Sequence, residues 1–253
     1  MAHINGREVL FSATVNISED NNGSYEEGFN AGKEAGEGAL WDNLQNDGNR
    51  EDYTRGFAYW GGEQINPKHK VAPTGGSAQL FYECRKLKSI DATLFDLSQA
   101  TYHPTNETSA GCGLCEQCRE LEVFPDIGLQ AGCYGATWGS CLKLHTIEII
   151  RVTEDCTFSV GTFRGCRNLQ NILNIEGVFG QDIWLIQTIS LTIETAILIF
   201  THLKNYAGTE SVGQKIIALS DTMKTLLTEA GALAELDGKT YDAYIADKGW
   251  NLA

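Results

Sequence analysis

Between residues 80 and 172 the apolar positions fall into one short pattern that returns four times. Written as aromatic or Cys, two residues, Cys, two residues, Leu, two residues, Ile or Phe, it reads Phe81/Cys84/Leu87/Ile90, Cys115/Cys118/Leu121/Phe124, Trp138/Cys141/Leu144/Ile147 and Phe163/Cys166/Leu169/Ile172. The four copies align without a gap. From Cys to Cys the separations are 34 (84 to 118), 23 (118 to 141) and 25 (141 to 166) residues, so the last two lie in the range of leucine-rich repeats and the first is one unit with an insertion. A unit this short cannot bury its own apolar face. Stacking turn on turn makes one continuous core whose positions must be filled by similar residues in every copy. The pattern therefore predicts a short strand after each Leu, as in "HTIEIIRV" (145–152) and "NILNIEG" (171–177), with the Phe-x-x-Cys segment as the opposing turn or short helix.

The flanks read differently. Residues 1–24 open on "INGREVLFSATVNI", strand-like in its β-branched and aromatic content, and continue into the polar "SEDNNGS". From 25 to 46 the pattern is helical, with Ser24 as N-cap and Tyr25, Phe29, Leu40 and Leu44 on one stripe. Gly28, Gly32, Gly36 and Gly38 each cost such a helix about 1 kcal/mol relative to Ala, so it needs a partner surface. Tyr53, Phe57 and Trp60, at helical or near-helical spacing, are placed to cover the end of the stack. Residues 61–79, with Pro67, Pro73, Gly75 and Gly76, read as a linker or an irregular first turn, and "DIWLIQ" is the last strand of the repeats. Beyond residue 191, Thr192 caps a helix that Gly208 ends, "KIIALS" is a strand, Ser220 or Asp221 starts a helix ended by Gly231, and Tyr241, Tyr244 and Ile245 share a short final helix.

The phrases "LFYECRKLKSI", "TWGSCLKLHTI" and "TFRGCRNLQNI" resemble the F-x-x-C-x-x-L-x-x-I repeat of BspA-like leucine-rich repeat proteins, of the kind carried by phages and prophages of gut Firmicutes. The spaced glycines, Trp41-Asp42 and "GNREDY" of the N-terminal region, and "HLKNYAGTE" and "KGWNL" near the end, are similar to modules that flank such repeats. The expected fold is thus α/β: a leucine-rich-repeat solenoid (75–190) with a strand-like N-terminal anchor (1–24), a helical N-terminal module (25–74) and an α/β C-terminal cap (191–253). The resemblance implies a non-enzymatic binding or structural protein of a phage or prophage particle, tail-associated and engaged in host-surface recognition. Other virion proteins would be met through residues 1–46, a host cell-surface protein or glycan would be the ligand, and a homo-oligomer is open to the chain. A bacterial cell-surface adhesin is the alternative, and a metal-dependent or cysteine enzyme the third reading.

Charge narrows the partners. At −14 over 253 residues, an acidic surface repels phosphate backbones and anionic headgroups, which argues against nucleic acid and membrane partners. The first residues lack a basic start followed by a long apolar stretch, so no signal peptide is expected and the chain is expected to be made in the host cytoplasm and to reside in the virion.

Eight cysteines in an unexported chain are expected as thiols. Cys84, Cys118, Cys141 and Cys166 take the repeat offset, where a small apolar side chain suits an inward position. Cys112, Cys115 and Cys118, spaced by two residues, have zinc-ligand spacing, and Cys133 could supply a fourth sulfur. Because Cys115 and Cys118 are already explained as core positions, the expectation is no metal and no cofactor, and no catalytic residue is singled out. The insertion "ATYHPTNETSAGCG" (100–113) is the binding-loop candidate, through Tyr102, His103 and Asn106, since long loops on a rigid scaffold carry binding residues.

Overall fold

A computed structural model describes residues 56–57, 59–67, 70–100, 112–129, 135–156 and 158–253, together with the strands β1 (Ala2–Ile4) and β2 (Arg7–Val9). These two pair antiparallel, Ala2 opposite Val9 and Ile4 opposite Arg7.

The repeated offsets produce stacked turns. In each, the residue before the Cys offset has a left-handed backbone: Tyr59 (φ 68), Glu83 (54), Gln117 (64), Ser140 (62) and Gly165 (80). A side chain in that conformation costs about 1–2 kcal/mol. The conformation is held because each of these N–H groups donates to the next turn: Tyr59 to Tyr82 O at 2.9 Å, Glu83 to Glu116 O at 2.8 Å, Gln117 to Gly139 O at 2.7 Å and Ser140 to Arg164 O at 2.5 Å. The Cys thiols point inward and backward. Cys84 Sγ donates to Phe57 O (3.0 Å), Cys118 to Phe81 O (2.9 Å), Cys141 to Cys115 O (3.0 Å) and Cys166 to Trp138 O (2.8 Å). Each thiol thus ties its turn to the first offset of the turn before, aromatic in three cases and Cys115 in the fourth, which is a reason for Cys there beyond its size.

On the other side of the stack the Leu offsets, Leu87, Leu121, Leu144 and Leu169, are fully buried, and short strands follow three of them. β3 (Val123–Phe124), β4 (Thr146–Ile147) and β6 (Asn171–Ile172) form a parallel sheet in register, with Phe124, Ile147 and Ile172 facing the core. β5 (Ile150–Val152) pairs with β7 (Ile175–Gly177) in a second parallel sheet. Rings fill the centre: Trp138 lies flat on Phe163 at 5.3 Å and 4°, and Phe57 on Phe81 at 5.9 Å and 12°.

The C-terminal part is α/β. β8 (Ile183–Leu185), β9 (Lys215–Leu219) and β10 (Trp250–Leu252) form a parallel sheet in the order β10-β9-β8. Around it lie α1 (Ile193–Thr201), α2 (Asp221–Ala230) and α3 (Tyr241–Asp247). Thr192 and Ser220 are the N-caps as expected, each hydroxyl accepting from the backbone N–H three residues on, and Gly231 (φ 71) ends α2. Gly208 does not end the first helix. α1 stops at Thr201, and the Lys248 ammonium donates to Thr201 O (3.1 Å) and Leu203 O (2.9 Å), meeting carbonyls that the ended helix leaves open.

The expected leucine-rich-repeat solenoid is corrected here, while residues 25–55 of the expected helical N-terminal module lie outside the described residues. That architecture calls for one strand per turn in a single continuous parallel sheet. The strands observed are two to five residues long and divide among separate two- and three-stranded sheets. "HTIEIIRV" and "NILNIEG", each expected as one strand, split into β4 and β5 and into β6 and β7, which join different sheets. The physical reason is that much of the backbone between turns is satisfied by single turn-to-turn hydrogen bonds and by the thiols rather than by extended ladders. Phe57 and Trp60 lie in a turn, not a helix. Phe57 joins the ring stack as a further aromatic offset, 24 residues before Phe81 (57 to 81). The α/β class itself is compatible with these elements.

Side chains close the last turn. Gln187 Oε1 accepts from Gly165 N at 2.8 Å, and Thr195 Oγ1, on a residue 2 % exposed, accepts from Ile172 N at 3.2 Å and donates to Gln170 O at 3.0 Å. Thr195→Val keeps the shape and removes both bonds, leaving a buried N–H unsatisfied. A loss of about 1–3 kcal/mol in urea unfolding is expected, with Thr201→Val, whose hydroxyl is exposed, changing little.

Candidate functional site

The outward residues of the stacked turns line up in columns because the turns are in register. The second and fourth positions after Cys118, Cys141 and Cys166 are Glu120 and Glu122, Lys143 and His145, Asn168 and Gln170. Backbone bonds fix the second column: Glu122 N donates to Lys88 O (3.3 Å), His145 N to Glu122 O (2.9 Å) and Gln170 N to His145 O (3.0 Å). In the first column Lys143 N donates to Arg119 O (3.2 Å), the Lys143 ammonium pairs with Glu120, and Asn168 Nδ2 donates to Leu142 O (2.7 Å). His145 Nδ1 lies 2.9 Å from Thr146 Oγ1. Glu122, Lys143, His145, Asn168 and Gln170 line an open, shallow concavity of about 490 Å³. The hydrogen bond that Lys143 donates to Glu120, and the charge of that carboxylate, raise the pKa of Lys143 above the ordinary lysine value, so it presents a cation at all neutral pH values.

A second polar surface lies beside β5 and β7. The Arg151 guanidinium grips Asp126 through Nη1 (2.7 Å) and Nη2 (2.9 Å) and reaches Glu176 through Nε (2.9 Å). The same guanidinium holds the Asp126 carboxyl below its usual range. Nearby, hydrogen bonds from Ser98 and then from Lys70 bring Asp96 down to about 2. These carboxylates are already matched by cations and backbone N–H groups, so the geometry reads as reinforcement of the stack.

The cysteines are core groups. Cys84, Cys115, Cys118, Cys141 and Cys166 are buried, and burial pushes their thiols up, Cys166 to about 12 and Cys84, Cys118 and Cys141 well above the usual thiol range. They are poor nucleophiles as a result. Of the zinc-spaced set, Cys112 is half-buried while Cys115 and Cys118 point into the core, and Cys118 spends its S–H on Phe81 O. Among the described residues no group of three or more His, Cys, Asp or Glu is placed to hold a metal ion. Cys133 and the loop candidates Tyr102, His103 and Asn106 lie outside the described residues, as does the 25–46 segment. No described helix is long and apolar enough to cross a membrane.

No family model, curated protein or solved structure matches this chain. The site is therefore read from its own chemistry. Sequence reasoning passed over the polar columns, although the signal was present: once the Cys offset is fixed, its second and fourth followers can be written out in the same way as the apolar ladder. Two of the five lining residues carry carboxamides, one a carboxylate, one an ammonium and one an imidazole. Such a set can donate and accept hydrogen bonds along a line.

Proposed function

We propose that this protein binds a partner and does not turn over a substrate, and that the partner lies along the polar columns of the stacked turns. The observation that carries this reading is the registered array of Glu122, Lys143, His145 and Gln170, held by backbone bonds on an open surface that Asn168 also lines. Side chains held in register on a hydrogen-bonded backbone form a preorganised surface, which lowers the ordering cost of binding. The thiols, which would be the natural nucleophiles, donate to core carbonyls instead. The resemblance of the repeat phrases and flanking modules to phage-borne sequences supplies the setting: a non-enzymatic component of a phage or prophage particle, tail-associated, that contributes to host-surface recognition.

The test has two parts. Mass spectrometry of purified virions should find the chain in the particle. Fluorescently labelled protein should then sediment with host cells or isolated cell walls, and a variant lacking 100–113 compared with one altered in the columns separates the loop from the array. Absence of binding by the wild-type chain, together with a hydrolytic activity that a single His or Cys substitution abolishes, would replace this reading with an enzymatic one.

A further inference from the structure

We propose that the stacked turns present a docking face for the α2 helix of a second copy of this chain. The face lies on the residues that immediately follow the Cys offsets. Leu185, Thr188 and Leu191 are buried and repeat the spacing of the first, Cys and Leu offsets, so 185–191 is one further turn. The first followers of Cys84, Cys118, Cys141, Cys166 and Thr188 are then Arg85, Arg119, Leu142, Arg167 and Ile189. Hydrogen bonds set them side by side. Lys143 N donates to Arg119 O (3.2 Å) and Asn168 Nδ2 to Leu142 O (2.7 Å). Gly165 N on Gln187 Oε1 (2.8 Å) and Thr192 N on Gln170 O (3.0 Å) bracket Ile189 beside Arg167.

Two features part this face from ordinary solvated surface. Leu142 (46 %), Ile189 (43 %) and Ile186 (42 %) are exposed on the turns to either side of Arg164 and Arg167, and clustered aliphatic side chains with arginines are the composition of a protein interface. Cations are also in surplus. The four repeat copies hold seven Lys or Arg and four Glu on a chain of −14. Glu83, Glu116 and Glu120 are each taken by a cation of their own, Arg85, Arg164 and Lys143. Arg119 donates to the neutral Gln117 (3.3 Å), and Arg167 has no side-chain partner among the described residues.

The acidic counterpart is on the chain itself. Residues 221–242 hold five Asp or Glu against two Lys, and all five acids are exposed. Leu226, exposed as well, and Glu229 are three residues apart on the outward side of α2, which sets an aliphatic group and a carboxylate about 5–6 Å from one another. The face alternates arginine and aliphatic from Arg119 to Ile189 at the rung spacing of about 4.8 Å. Leu226 on Leu142 or Ile189 therefore brings Glu229 to an arginine. Pairing two copies face to face would set like charges together. Joining α2 of one copy to the turns of the next is a heterologous contact, which repeats and builds a ring or a filament.

Sedimentation velocity of the full chain, across about a thousandfold range of concentration up to the millimolar level, tests this. The wild-type sedimentation coefficient should rise with concentration, and rise less in high salt, which screens the charges. Arg167→Glu and Glu229→Lys should each remove the rise without lowering the melting temperature, since both side chains are exposed. Mixed in equal amounts, the two variants should associate again, because the intact α2 of the first meets the intact face of the second. Ile189→Ser should weaken association with no change of charge. Glu210→Lys, the same charge change in the exposed loop before β9, should associate as wild type. A wild type that stays monomeric, an Arg167→Glu variant that associates normally, or a mixture that fails to recover overturns the proposal. Loss of cell-wall sedimentation by Arg167→Glu, beside a monomeric wild type, would assign the face to an acidic partner outside the chain instead.

Discussion

Raising the pH above about 9 should unfold this protein steeply, because the stack is held by thiols that tolerate no charge. Cys84, Cys115, Cys118, Cys141 and Cys166 are buried, and burial raises each thiol above its ordinary value. In the unfolded chain the same groups ionise near 8.5. Between that pH and the folded-state value the native protein binds more protons than the unfolded one, so stability is full below about 8.5 and falls as the pH rises. The five shifts run in the same direction, so the losses add as the pH rises. Burial also raises Tyr82 and Tyr244, which adds loss in the same direction at higher pH. Urea unfolding followed by circular dichroism between pH 7 and about 10, under reducing conditions, measures the slope. Cys141→Ala should make the slope shallower while itself costing some stability at pH 7. A stability that stays level to pH 10, or a Cys141→Ala slope equal to wild type, would show that the thiols are not ionisation-limited core groups.

The second large effect is expected from Trp138→Ala, at about 3–5 kcal/mol. Trp138 is fully buried at the middle of the ring stack, flat on Phe163 at 5.3 Å and edge-on to Phe124 at 5.4 Å. The preceding turn puts the small Cys115 at the same offset, so the indole has no ring of that column above it that could shift to fill a void. Its backbone is engaged as well, N–H to Thr162 O at 3.2 Å and carbonyl from Cys166 Sγ at 2.8 Å, which limits relaxation of the turn around the cavity. Trp138→Phe should lose much less, since it preserves stacking on Phe163. Chemical denaturation of the three proteins distinguishes these cases, and a Trp138→Ala loss under about 1 kcal/mol would mean the turn collapses freely and the stack is not close-packed there.

The apolar ladder was legible in the sequence because stacking forces the same requirement on each turn: a residue at a given offset meets its counterpart one turn away, so Phe81, Trp138 and Phe163, or Leu87, Leu144 and Leu169, must be alike. Thr192, Ser220 and Gly231 were legible for a local reason, since a cap satisfies backbone groups within three or four residues of itself. Other features depend on neighbours far away in sequence. Phe57 looked helical by spacing, yet its N–H meets Leu80 O and its ring meets Phe81, so the neighbouring turn overrode the local pattern. α1 ends at Thr201, well before Gly208, and the carbonyl left open there is met by Lys248, 47 residues on. Left-handed Glu83, Gln117 and Ser140 carry no glycine signature, and only the turn that receives their N–H groups stabilises them. The polar array lies between these cases. Its residues are fixed by the sequence, but Glu122, His145 and Gln170 become one surface only when hydrogen bonds set three turns in register. What the chain by itself determined is which side chains must be inside and which local breaks end its helices. Sheet division, turn conformation and the assembly of the polar array were decided by tertiary structure, because each depends on a hydrogen bond whose two ends lie more than twenty residues apart.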